Sequence, residues 1–180
     1  MNLEKYIDEG VKLYDSIYSK LDAWSKAKQA ARAKLKAEAV RLTQEAANEE
    51  HDKFVKEYEE KLSAILSELD SGLSEIEGKY LQEVNGFYSL DGSAINAEDK
   101  ALLEAGILTV DEVISMVYKY ADNPTMERII KKYTEENHIQ NLPTDAVKAL
   151  LHAASGGDKE KFVFTKFKQL MGTPVSMAEQ

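Results

Sequence analysis

Cysteine is absent from this chain, which removes disulfide frameworks and thiolate metal sites together. Proline occurs three times in 180 residues, and none falls within positions 1–86, a stretch that also has almost no turn chemistry. Long apolar runs are missing: none approaches the ~18 residues a membrane span needs. The opening Met-Asn-Leu-Glu-Lys-Tyr lacks the basic-then-apolar pattern of a secretory signal. These absences set the expectation of a cytoplasmic protein without a membrane segment. Net positive charge is missing too, because the formal charge is −9, which argues against wholesale nucleic-acid binding.

What is present is helical periodicity. Apolar residues recur every three or four positions, first at Leu3, Ile7, Tyr14, Ile17, Leu21 and Trp24. The series closes with Leu62, Leu66, Leu69, Leu73, Ile76, Tyr80 and Phe87. Such spacing lays side chains on one stripe of an α-helix. A single stripe must meet another helix or stay marginal in water. With 43% apolar and 31% charged residues, the composition is globular or coiled-coil rather than disordered.

Residues 1–87 therefore read as a long helical arm with a weak point between Leu42 and Phe54, where nothing larger than alanine faces the apolar side. Two arrangements fit. One is a continuous helix of about 125 Å at 1.5 Å per residue, pairing with another chain. The other is a hairpin turning near 47–53. The basic block Lys26–Arg41 and the acidic block Glu45–Glu60 would lie alongside each other in the hairpin, with Leu21 near Ile76 and Tyr14 near Val84. Exposed ion pairs are worth about 0–1 kcal/mol, so they bear on register more than on stability.

Residues 85–93 read as a loop, and shorter helices with clear boundary signals follow. Asn96 can cap a helix that Gly106 ends. Thr109 and Glu112 match a capping box, and Asn123-Pro124 supplies a cap and a first-turn proline. Pro143-Thr144 opens another helix, closed by Gly156-Gly157, and Asp158 starts the last. The fold class expected is all-α: a long N-terminal arm or hairpin (1–87), a small helical domain (94–172) and a frayed tail (173–180).

Chemistry is sparse. His51, His138 and His152 have no second histidine at helical metal-site spacing, and surface or capping roles fit them. Asp91–Asn96 departs from a calcium loop, with its glycine in the wrong place. Phosphate loops, nucleophile elbows and Cys–His pairs do not occur. No catalytic residue, metal site or cofactor is expected. The segment Asp158–Met171 interleaves aromatic and basic residues. Read as a helix, it puts Val163, Phe167, Leu170 and Met171 together and leaves Phe164 off the stripe. It would either cover the domain's own core or present Lys159, Lys161, Phe164, Lys166, Phe167 and Lys168 to a partner.

The arm at 3–87 and the basic, aromatic ending at 159–171, with Asp122-Asn-Pro-Thr-Met-Glu-Arg-Ile-Ile-Lys-Lys-Tyr133 between them, resemble small helical structural proteins of tailed bacteriophages, the scaffolding and minor head proteins. That resemblance implies a non-enzymatic assembly protein, a homo-oligomer joined through Leu62, Leu66, Leu69, Leu73 and Ile76. It also implies a coat or other structural protein as partner at the C-terminal helix, in host cytoplasm or virion. The alternative is a monomeric helical adaptor or inhibitor of a host protein.

Overall fold

The structure, a computed structural model, describes residues 2–172; the tail expected at 173–180 lies outside the described residues. Among the described residues there are seven α-helices and no strand. They are α1 (Leu3–Ala39), α2 (Gln44–Tyr88), α3 (Ala97–Ala105), α4 (Val110–Lys119), α5 (Pro124–Glu136), α6 (Thr144–Ala154) and α7 (Asp158–Gly172). The class is all-α, as the periodicity implies.

The described residues form two compact units: 2–78 with 164–172, and 79–163. The expected division at 87–94 is displaced. The last ten residues of α2, 79–88, belong to the bundle, and the second half of α7 belongs to the hairpin unit.

In the hairpin unit the long apolar pattern splits at Val40–Thr43, not at 47–53, which lie inside α2. The last turn of α1 tightens to three-residue bonds, Arg41 N to Glu38 O at 2.9 Å and Leu42 N to Ala39 O at 3.2 Å. Thr43 then opens α2: its hydroxyl accepts from Ala46 N at 3.4 Å, and acidic Glu45 occupies the first turn. A threonine cap with an acid just inside the helix satisfies a start without glycine or proline. The earlier turn moves the pairing register by roughly three turns of α2. Leu21 packs with Ile17, Leu69 and Leu73 rather than beside Ile76, and Leu13 meets Gly72. Two aromatic residues fix this register. Trp24 Nε1 donates to the Tyr58 carbonyl at 3.0 Å, and the Tyr58 hydroxyl donates to the Ala27 carbonyl at 3.2 Å, so the half-buried indole and the buried phenol each satisfy their polar end.

The two charged blocks do not neutralise each other as expected. Lys26 pairs with Asp22, Lys53 with Glu50 and Lys61 with Glu57, all within their own helices. Both blocks still run beside each other from the turn at 40–43, but their side chains are largely exposed and these pairs form along each helix. Lys20 with Glu68, at 2.5 Å, does bridge the arms.

In the bundle unit α5 is central, packed against α3, α4 and α6. Leu103, Val113, Met116, Val117, Met126, Ile130, Tyr133, Ala146 and Leu150 close a core around it. The expected caps are in place. Asn96 accepts from Asp99 N at 2.9 Å, Thr109 and Glu112 form the reciprocal box, and Asn123 accepts from Met126 N at 3.0 Å. Gly106 ends α3 in the left-handed region at φ 67°. The loop expected at 85–93 is shorter, because α2 continues through Gly86 to Tyr88, and Val84 and Tyr88 are buried. Gly157 explains that extension. At φ 82° it lets the chain between α6 and α7 pass so close that an added Cβ would fall 2.5 Å from Val84 and 2.8 Å from Tyr88.

Candidate functional site

The residues expected to join copies of the chain are mostly inside it. Leu69 and Leu73 are sealed against Ile17, Leu13 and Leu21, and Ile76 is buried too. Leu62 and Leu66 are half-buried. The stripe that read as a surface awaiting a partner is covered by α1 of the same chain, because the turn at 40–43 lets α1 lie along it. That corrects its assignment as an exposed oligomerisation face.

The C-terminal helix is turned differently as well. Phe164, expected off the apolar stripe, is 1% exposed. Phe164, Phe167, Lys168 and Met171 share a face as regular as Val163, Phe167, Leu170 and Met171 do, and the first set brings both phenylalanine rings inward. Phe167 reaches Gly10, where an added Cβ would come 2.6 Å from its ring. Lys168 donates to Glu77 at 2.6 Å and to Ser74 at 3.2 Å. Phe164, Phe167 and Lys168 are therefore engaged within the chain, which corrects their expected role. Lys159 and Lys166 are exposed and Lys161 is half-buried, and Phe162 is 61% exposed.

The bundle unit carries several concave features, two of which bear on function. The first is an apolar groove of about 360 Å³ between the end of α5 and α6. Ile139, Leu142, Val147, Leu150 and Leu151 form its floor, with Lys131, Glu135 and His138 among its lining. Leu151 is 56% exposed. The connecting segment 137–143 carries two non-glycine residues in the left-handed region, His138 at φ 51° and Asn141 at φ 69°. Such backbone costs about 1–3 kcal/mol where it occurs and persists only when surroundings hold it.

The second is a polar cleft of about 280 Å³ lined by Phe87, Tyr88, Ala121, Asp122, Glu127, Ala149, His152 and Glu160. Glu160 Oε1 sits 2.5 Å from His152 Nε2 and accepts from the Tyr88 hydroxyl at 3.3 Å; Tyr88 and His152 are 3.0 Å apart. The set is satisfied when Nε2 carries the imidazole proton. Burial, then the charge of Glu160, pushes the Tyr88 hydroxyl far above its ordinary range. Burial, then the charge of Asp122, pushes Glu127 up to about 7. The neighbouring Arg128 turns away and donates to the Ala153 carbonyl at 2.9 Å.

None of these cleft residues stands out in the sequence. His152 and Glu160 lie eight positions apart across two glycines, and Glu127 sits in an ordinary first helical turn, where acids are common. Among the described residues no group of three His, Asp or Glu side chains is placed to hold a metal ion. No described helix is long and apolar enough to cross a membrane. No family model, curated protein or solved structure matches the chain.

Proposed function

We propose that the chain is a non-enzymatic helical binding protein that works as a monomer, in the manner of an adaptor or inhibitor, and docks one apolar face of a partner helix in the α5–α6 groove. The observation that carries this reading is where the apolar surface is covered and where it is open. The front-half ridge is closed by α1, whereas Val147 and Leu151 stand exposed beside Ile139 and Leu142. Helix-in-groove recognition uses anchors at three- and four-residue spacing in an apolar channel with a polar rim, and Lys131, Glu135 and His138 supply polar neighbours.

A second reading, self-assembly of the phage-scaffold type, is favoured by one observation. The bases of Lys26–Arg41 and the acids of Glu45–Glu60 pair within their own helices rather than with each other. The two arms thus expose charge of opposite sign, basic along 26–41 and acidic along 45–60, which a second copy could match. Light scattering over a concentration series separates the two. The monomer reading expects 20.2 kDa throughout, whereas a mass that climbs with concentration and falls with added salt would replace it with assembly.

A further inference from the structure

The polar cleft contains more negative charge than its own surroundings answer. Glu127 is 5% exposed, lines the cleft, and receives no side-chain hydrogen bond or ion pair from any described residue. Glu160 spends one oxygen on His152 and Tyr88, while its other oxygen, Oε2, is buried and accepts nothing. Asp122 stands exposed on the lining. A buried carboxylate without a partner is costly, and folds that keep one usually use it. A buried carboxylate with no partner, on the same lining as the exposed Asp122, asks for a cation.

We infer that this cleft is a binding site for a single organic cation, an ammonium or guanidinium group, taken up by the carboxylate of Glu127, with the exposed Asp122 on the same lining, against the aromatic wall of Phe87 and Tyr88. Three observations choose this class. The side chains are not arranged as a metal-ligating set. The space, about 280 Å³, lies just under the ~300–1,000 Å³ of sites for drug-sized ligands, so it suits a headgroup or one side chain. Two aromatic rings line it, and aromatic faces attract ammonium and guanidinium ions. A guanidinium group can also bridge carboxylates through its fork of donors. The inference stands apart from the groove and from the binding reading built on it.

The test uses the full chain and four probes: butylguanidinium, butylammonium, the neutral isostere butylurea, and magnesium ion. Backbone amide shifts of residues 121–128 and 149–155 report occupancy. The expected result is saturable binding of at least one organic cation, with butylurea weaker by about tenfold or more and no effect of magnesium. Glu127→Gln should weaken the cation by a similar factor. That variant removes a buried charge and should melt higher than wild type, so a loss of binding is not a loss of fold. Equal binding of butylurea, undiminished cation binding by Glu127→Gln, a response to magnesium alone, or no saturable shift would each overturn the inference. A tripeptide Ala-Arg-Ala and its citrulline counterpart then assign the source. Arginine-dependent binding tighter than that of butylguanidinium marks a protein side chain as the natural occupant, and equal or weaker binding marks a free amine.

Discussion

The two units of this chain solve the same burial problem in opposite ways. The bundle gathers its apolar residues into one mass, where Val113, Val117, Met126 and Ile130 are shut off from solvent. The hairpin spreads its buried residues along a seam: Tyr6 and Ile17 on α1, Tyr58, Leu69, Leu73 and Ile76 on α2, separated by turns of charged surface. A mass is stabilised cooperatively, whereas a seam is stabilised locally and is weakest at its open end. Val40, 86% exposed at the turn, marks that end. Short helices need tertiary packing to exist at all, which is why the bundle's short helices depend on a dense core and on good caps. Long helices carry much of their order through their own hydrogen bonds and tolerate a narrow seam.

The contrast can be broken most forcefully in the bundle. Ile130→Ala removes a fully buried side chain and should cost roughly 2–5 kcal/mol, read as a lowered midpoint in denaturant. A cost near zero would show that the core is loose.

An effect of opposite sign is expected at Glu127. Its folded-state pKa is raised, to about 7 from an ordinary 4.5. Between those values the folded protein holds a proton that the unfolded chain has lost, so this group makes stability fall as pH rises through the window, and the loss persists above it. Glu127→Gln should therefore stabilise the protein at pH 8, by up to about 3 kcal/mol, and make little difference at pH 4. Thermal melts of both proteins across that range check the sign.

Smaller again is Gly10→Val in the hairpin unit. Its side chain would enter the space of the Phe167 ring and should cost about 1–3 kcal/mol through overpacking. A ring that swings aside would reduce this cost and sharpen the view of the seam as adaptable. Smallest is Lys20→Ala. The Lys20–Glu68 pair is about half exposed on both sides, and such pairs are worth about 0–1 kcal/mol. Amide exchange should rank the regions without mutation, fastest around 38–46 and slowest along α5.

The bundle was legible in the sequence because its boundaries are written in short-range chemistry. Asn96, Gly106, Thr109 with Glu112, and Asn123-Pro124 each act within one helical turn, and each does so in the fold. The sequence points to a turn later than the true one because the apolar gap between Leu42 and Phe54 is equally compatible with an exposed helix face. The true signal, Thr43 followed by Gln44 and Glu45, is a capping pattern easily read as mid-helix polarity. The rotation of α7 was undecidable from spacing, since two stripes three or four residues apart fit the same sequence. The polar cleft was not legible at all: Tyr88, Glu127, His152 and Glu160 come from four helices, and only tertiary packing brings them to one place.

The central claim is that the chain closes its own apolar ridge by turning at Val40–Thr43, and one distance tests it. Because the sequence contains no cysteine, Lys20→Cys with Glu68→Cys gives a clean pair of spin labels, measured after dilution with an excess of unlabelled protein. The hairpin places the two backbones side by side, so a distance of a few tens of ångströms at most, unchanged by dilution, is predicted; in a continuous helix they would stand about 70 Å apart at 1.5 Å per residue. A distance near that value, or a short one that disappears on dilution, would mean that the ridge is covered by another copy and would contradict the account.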